Sequence, residues 1–303
     1  MNRRSFVRKL ASAAGVAGVA GVSPRKALPA PPAASTDAGH ASAPYKVSLM
    51  LWTVFPHLTF EERLEKVADA GYQSVELVNE FRQWSAEDYR RVLRKKHELG
   101  LEFDASAGLS RSLIDPKQRQ AFLAEVQGMI PILDKLECST LIILPGDLVP
   151  GMPRVDQYQS CVDGLKRAAD LIDGKNLRLL IENIDPEENP RFYMTSVAEG
   201  FEIIRAVNHP RIRLLYDLYH EQIAEGNLIE KLEKNIDLTG LIHVADVPGR
   251  HEPGTGEINY TNIYRKLGQL KYDRYVAMEY FPTYDALESL RANRRRALRD
   301  GSG

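Results

Sequence analysis

Four apolar runs in the second half of the chain each finish on a side chain that can hold a proton or a metal ion. LRLLIEN carries Glu182, RIRLLYD carries Asp217, LTGLIHVAD carries His243 and YVAMEY carries Glu279. In a β-strand, residues two apart share a face. The residues two positions earlier are Leu180, Leu215, Leu241 and Ala277, all apolar. The spacing therefore places three carboxylates and one imidazole above an apolar layer. Taken singly, a glutamate at a strand end is an ordinary solvated residue, and a lone histidine is an ordinary hydrogen-bonded core residue. The argument lies in their recurrence on four successive runs. Three converging carboxylates repel one another unless a cation lies among them. Three oxygens and one imidazole suit an octahedral Mn²⁺, Mg²⁺ or Co²⁺ site with positions left for substrate oxygens. A structural zinc site would more readily use thiolates. The two cysteines, Cys138 and Cys161, form no Cys-x-x-Cys pair and are expected to be free thiols.

These side chains need elements to bring them together. From residue 45 onward, apolar runs alternate with amphipathic segments. The runs cover 45–52, 74–78, 101–107, 139–145, 177–183, 211–217, 238–246 and 275–280. Thr59 with Glu62, and Ser196 with Glu199, have the spacing of a helix capping box. Asp115 precedes Pro116 at a first helical position, and Gly71 and Gly100 stand just past helix ends. Eight strands alternating with eight helices in about 260 residues predict an α/β fold, the (β/α)₈ TIM barrel, with its active site at the C-terminal ends of the strands. An open doubly wound sheet is the alternative, but no G-x-G-x-x-G follows the first strand.

The stretch HVADVPGRHEPGTGEINY, residues 243–260, spends many special residues on one loop. Gly249 permits a tight turn before Arg250, and Pro253-Gly254 with Gly256 reverses the chain toward Tyr260. Arg250 can pair with a substrate carboxylate or grip sugar hydroxyls. This loop resembles the signature loop of the hydroxypyruvate isomerase family, xylose-isomerase-like barrels related to the ketose 3-epimerases. The resemblance spans roughly residues 45–290 and includes E-N at Glu182–Asn183, D-x-Y-H at Asp217–His220 and M-E-Y around Glu279. It implies that Glu182, Asp217, His243 and Glu279 ligate one metal ion. It further implies that His220 and Arg250 touch the substrate and that Glu257 belongs to the same rim. Hydroxypyruvate isomerases of this group often carry Gln where this chain has His243, whereas the epimerase relatives carry His.

The chemistry expected is isomerisation of an α-hydroxy carbonyl compound, a keto acid such as hydroxypyruvate or a keto-sugar. A proton leaves one carbon and returns to another, with an enediolate stabilised by the metal. Glu182 and Glu279, on the fifth and eighth strands, would flank the substrate as acid and base. Trp52 and His57 follow the first strand, and the Trp52 indole suits the C–H face of a sugar. Glu76, at the end of SVELV, could support the cation from behind. Epimerisation of a keto-sugar, or β-elimination from a keto-glycoside, begins with the same proton abstraction. A metal-dependent phosphodiesterase on the same barrel would need more histidines for a multi-zinc cluster. A non-catalytic periplasmic sugar-binding protein would not need the paired glutamates.

The chain has 303 residues, 44% hydrophobic and 27% charged, ordinary values for a globular protein. Residues 1–43 read separately: a basic start with Arg3 and Arg4, a short stretch of small apolar residues, then a Pro/Ala-rich linker. This resembles a twin-arginine export signal, implying export machinery as a partner and a periplasmic destination. Residues 44–303 are then the catalytic domain. The first segment takes six of the 40 basic residues and one of the 41 acids, leaving a net charge of about −6. That charge counts against non-specific binding to a nucleic-acid backbone. No apolar run is long enough for a stable membrane anchor, and formation of a homo-oligomer stays open.

Overall fold

The computed structural model describes residues 42–303. All but the last two residues of the expected signal and linker lie outside the described residues. Eight parallel strands close into a barrel in sequence order. They are β1 (Lys46–Met50), β2 (Ser74–Leu77), β3 (Glu102–Ser106), β4 (Thr140–Ile143), β5 (Arg178–Glu182), β6 (Ile212–Asp217), β7 (Thr239–Val244) and β8 (Tyr275–Met278). Closure comes from β1 pairing with β8, Val47 opposite Val276 and Leu49 opposite Met278. The helices are α1 (Phe60–Asp69), α2 (Ala86–Glu98), α3 (Arg119–Leu136), α4 (Arg154–Leu171), α5 (Val197–Val207), α6 (Leu218–Ala224), α7 (Leu228–Asn235), α8 (Tyr260–Gln269) and α9 (Ala286–Gly301).

The α/β barrel expected from the alternation is therefore the observed fold. The described residues hold one helix more than the eight expected. After β6 the helical segment breaks into α6 and α7 at Gly226 and Asn227, which take φ of +67° and +56°. Left-handed backbone cannot continue an α-helix. The Thr59–Glu62 capping box forms in full at α1. At α5, Ser196 accepts only from the Ala198 N–H, because Glu199 turns instead to Arg154, 2.5 Å away.

Strands in a parallel barrel are covered on both faces and read as nearly continuous apolar runs. Their outward residues, such as Val75, Ile143, Leu179, Ile181 and Ile242, join the helices in one large core. Each such side chain contributes about 1.5–3 kcal/mol on full burial. The inward residues form a second, separate cluster of Met50, Ala105, Ala107, Ile142, Leu180, Leu215, Leu241 and Ala277. It contains all four apolar residues expected beneath the polar strand ends. Cys138 and Cys161 are free and buried. Burial pushes the Cys138 thiol up to about 12 and raises that of Cys161 as well.

Candidate metal centre and substrate pocket

Glu182 and Asp217 are the last residues of β5 and β6, His243 lies one residue before the end of β7, and Glu279 directly follows β8. Asp217 and His243 are register partners across β6 and β7. All four are buried, and one ligand atom from each lies within 4.8 Å of the others. His243 Nδ1 is 2.7 Å from Glu279 Oε2, 3.3 Å from Glu182 Oε1 and 3.8 Å from Asp217 Oδ2. Yet His243 Nδ1 and Asp217 Oδ2 are buried and make no hydrogen bond. Buried polar atoms are rarely left this way. A donor set of three carboxylates and one imidazole around a common point fits a divalent ion.

The other atoms of these residues are held from outside the cluster. Asp217 Oδ1 accepts the Tyr219 and His220 backbone N–H groups at 2.8 and 3.1 Å, which turns Oδ2 inward. Asn183 ties β5 to β6, accepting from the Asp217 N–H at 3.2 Å. Trp52 Nε1 donates to Glu279 Oε1 at 2.8 Å. Glu76, the second-last residue of β2, lies 2.9 Å from His243 Nε2. With that nitrogen carrying the proton, Nδ1 presents its lone pair to the cluster. Burial alone would pull the His243 imidazole down. The negative charges of Glu76 and Glu279 outweigh this and strengthen the hold of Nδ1 on a cation: with a proton as that cation the imidazole is raised well above the ordinary histidine range, and a metal ion would take the proton's place.

Arg250 and His220 join this cluster. The Arg250 guanidinium is buried. Its Nη2 lies 2.8 Å from Glu279 Oε2 and 3.5 Å from Asp217 Oδ2. Its Nη1 lies 3.3 Å from Glu188 Oε2 and 3.3 Å from His220 Nε2. The guanidinium also sits over the Tyr219 and Trp52 rings, 5.1 and 5.9 Å from their centroids. His220 Nδ1 is 2.6 Å from Asp185 Oδ2, so Nδ1–H donates to Asp185 and Nε2 accepts from Arg250. Burial pushes the Asp185 carboxyl up, but the His220 bond and two backbone N–H groups prevail and hold it low. The His220 imidazole is raised: burial opposes this, and the Asp217 charge and Asp185 bond outweigh it. Burial pushes the Glu188 carboxyl up against the pull of Arg250.

Asp185 and Glu188 are site residues that the sequence reading missed. Their signal was the acidic run E-N-I-D-P-E-E just past β5, which has no period to place it. Glu257 is exposed, and its carboxylate accepts at 3.1 Å from Gln222, two residues past His220. Trp52 is half-buried, edge-on to Phe281 at 5.3 Å, while His57 is exposed.

The loop between β7 and α8 carries Arg250 at φ +57°, just after Gly249 at +93°. Asp246 organises it. Its Oδ1 accepts the Val247 and Ile258 N–H groups at 3.0 Å each, and its Oδ2 accepts that of Gly254 at 2.7 Å. Glu252 fastens the loop to Thr283, accepting its N–H at 3.0 Å. The Phe281 N–H donates to the Arg250 carbonyl at 2.8 Å. At Gly256 a Cβ would overlap the Val247 carbonyl oxygen. On β3, Asp104 accepts from Ser48 and Ser74 hydroxyls at 2.5 Å each. Burial pushes its carboxyl up to about 8.

Comparisons with known proteins agree with this architecture. The profile of the xylose isomerase-like TIM barrel family matches residues 64–300. The hydroxypyruvate isomerase of Escherichia coli is 28% identical over 78% of this chain and 93% of its own. The 2-oxo-tetronate isomerase of Pectobacterium atrosepticum is 26% identical over 78% of this chain and 92% of its own. A crystal structure described as AP endonuclease, family 2, from Brucella melitensis superposes with a TM-score of 0.74 at 25% identity, covering 82% of this chain and 96% of that one. A putative hydroxypyruvate isomerase of Danio rerio, 32% identical over 82% of this chain and 95% of its own, joins the profile and the fold in making this chain a xylose isomerase-like TIM-barrel protein of the hydroxypyruvate isomerase family, an enzyme of the isomerase class.

Proposed function

We propose that the chain is a divalent-metal-dependent isomerase of α-hydroxy carbonyl compounds, keto acids or keto-sugars, acting by proton transfer through an enediolate. The observation that carries this is the convergence of Glu182, Asp217, His243 and Glu279 with ligand atoms within 4.8 Å of one another. Mn²⁺, Mg²⁺ or Co²⁺ held there would act as a Lewis acid on the substrate oxygens and favour the enediolate. The protein does the rest. Glu182 and Glu279 come from strands three apart and provide carboxylates for taking and returning the proton. Trp52 fixes one oxygen of Glu279, and Arg250 balances the charge of the other. His220, locked in one tautomer by Asp185, orients a substrate oxygen beside Arg250. Epimerisation of a keto-sugar or elimination from a keto-glycoside would use the same first step.

The arrangement favours this over phosphodiester cleavage at a multi-metal centre. Asp185, Glu188 and His220 form a second group that could hold an ion. However, the Arg250 guanidinium already lies against Glu188 and His220 and supplies the positive charge there. In D₂O, the metal-loaded protein should wash solvent deuterium into the carbon next to the carbonyl of its substrate. Glu182→Gln and Glu279→Gln should each lower that exchange about 10²–10⁴-fold, and a chelator should abolish it. Exchange that survives the chelator, or product that keeps all its original hydrogen, would rule the mechanism out.

We also propose that residues 1–43 act as a twin-arginine signal that exports the folded domain to the periplasm. The support is the Arg3–Arg4 pair before a short apolar stretch.

A further inference from the structure

The barrel interior is layered, and its layer at the amino ends of the strands is polar. Alternation carries each inward face along the strand two residues at a time. On β5, Glu182 is preceded at that spacing by Leu180 and Arg178, and on β8, Glu279 by Ala277 and Tyr275. On β1, Met50 is preceded by Ser48, and on β4, Ile142 by Thr140. The middle layer is the apolar cluster that holds Leu180, Leu241 and Ala277. Past it, a cavity of about 670 Å³ opens at the end of the barrel away from the metal centre. Ala105, Leu180 and Leu241 close its inner end, and Arg178, Arg274 and Asp104 stand in its walls. Its volume is that of a small-molecule site.

Two observations point to a ligand there. The first is charge. Arg178 opens β5, Arg213 lies opposite Leu180 on β6, and Arg274 directly precedes β8. Burial lowers the Arg213 guanidinium, and the nearby charges of Arg274 and Arg178 lower it further. Arg213 Nη1 donates to the His209 and Ile212 carbonyls at 2.9 Å each, and Arg274 Nη1 donates to the Thr239 carbonyl. None of the three forms an ion pair among the described residues, and Asp237 offsets Arg213 only through longer-range attraction. On the far wall the charges cancel in pairs, Lys46 with Glu102 at 3.5 Å and Lys96 with Glu137. Asp273 is the one exposed wall acid outside such a pair. Three gathered guanidinium groups repel one another, and an anion among them relieves this.

The second observation is a buried polar atom. Asp104 lines the cavity, and its Oδ2 is buried without a hydrogen-bond partner. Its Oδ1 already takes both the Ser48 and Ser74 hydroxyls. A buried carboxyl oxygen is costly to leave unsatisfied. A ligand hydroxyl suits it in either protonation state, because a hydroxyl both donates and accepts.

We propose that this amino-terminal mouth binds a phosphorylated polyol, with its phosphate against Arg178 and Arg274 and its hydroxyls toward Asp104. Guanidinium forks match phosphate oxygens two at a time. Arg213 adds a third charge beside them, which favours a doubly charged head over a single carboxylate. The site is separate from the metal centre. The four residues of strand from Arg178 to Glu182 span about 13 Å, and the apolar layer lies between. The ligand is therefore no competitor of the substrate, and the proposal does not rest on the isomerase reading.

Ribitol 5-phosphate, ribonate and ribitol are suitable probes, since they share a carbon chain, differ in charge and have no carbonyl to react. Each is titrated calorimetrically into the metal-loaded protein. Ribitol 5-phosphate should bind, and added sodium chloride should weaken it by screening. Arg178 is exposed and unpaired among the described residues, so Arg178→Glu should fold normally, with its melting temperature as the check. It should weaken the phosphate at least about tenfold. Arg274→Gln should weaken it by a smaller factor and gives the reading if the first variant folds poorly. Removing the metal with a chelator should leave phosphate binding unchanged.

Phosphate binding that survives Arg178→Glu in a folded protein, or that vanishes with the metal, places the anion at the other end of the barrel and overturns the proposal. Absence of binding at millimolar ribitol 5-phosphate, or ribitol bound as tightly, overturns it as well. Ribonate bound more tightly than the phosphate, with the same sensitivity to Arg178→Glu, overturns the choice of a phosphate.

Discussion

Glu76 is far from His243 in sequence, yet it faces that imidazole across the barrel and fixes which nitrogen meets the cluster. Removing it by Glu76→Ala should weaken divalent-ion affinity about 10–100-fold, measured by titrating the apoprotein with Mn²⁺. Glu76→Gln keeps an acceptor oxygen and should lose less. Unchanged affinity in the alanine variant, with its melting temperature recorded alongside, would show that the contact only fills space. At this scale the four strand-end residues were legible because strand alternation is a strict period. Leu180, Leu215, Leu241 and Ala277, two residues before them, mark the inward face by alternation alone. Asp185 and Glu188 were not legible, because the loop that carries them has no period. The resemblance implies a rim place for Glu257, whose exposed carboxylate accepts from Gln222 on the helix that leaves β6.

The element that most shapes the pocket is the loop from Asp246 to Ile258. Its glycine turns could be read from the sequence. Its organising residue could not, since Asp246 acts through three backbone N–H groups that only the folded loop brings together. Asp246→Ala leaves those donors without their partner, at a cost of about 1–3 kcal/mol each where burial is complete. The expected outcome is a lower melting temperature and a raised KM, because Arg250 rides on this loop. A variant with normal KM would show that Arg250 is positioned by its ion pairs alone. The same lesson holds for the helices. The Thr59–Glu62 box was readable from spacing, whereas Ser196–Glu199 had the spacing but lost its glutamate to Arg154. The α6–α7 break turns on an Asn in left-handed backbone, a state that its residue type permits but does not announce.

The barrel as a whole was the most legible feature, because eight buried strands at regular intervals leave few alternatives. What the amino-terminal segment does is a question for the full chain in its cell. Fractionation should find the wild-type protein in the periplasm and a variant with Arg3→Lys and Arg4→Lys in the cytoplasm. Identical distribution of the two would end the export proposal. The twin-arginine route takes cargo that is already folded, so such a cargo must reach its final covalent form first. Cys138 lies just before β4 and Cys161 inside α4, both sequestered and unlinked. No cross-link between them therefore waits on an oxidising compartment, which is what the proposed export of a folded domain requires.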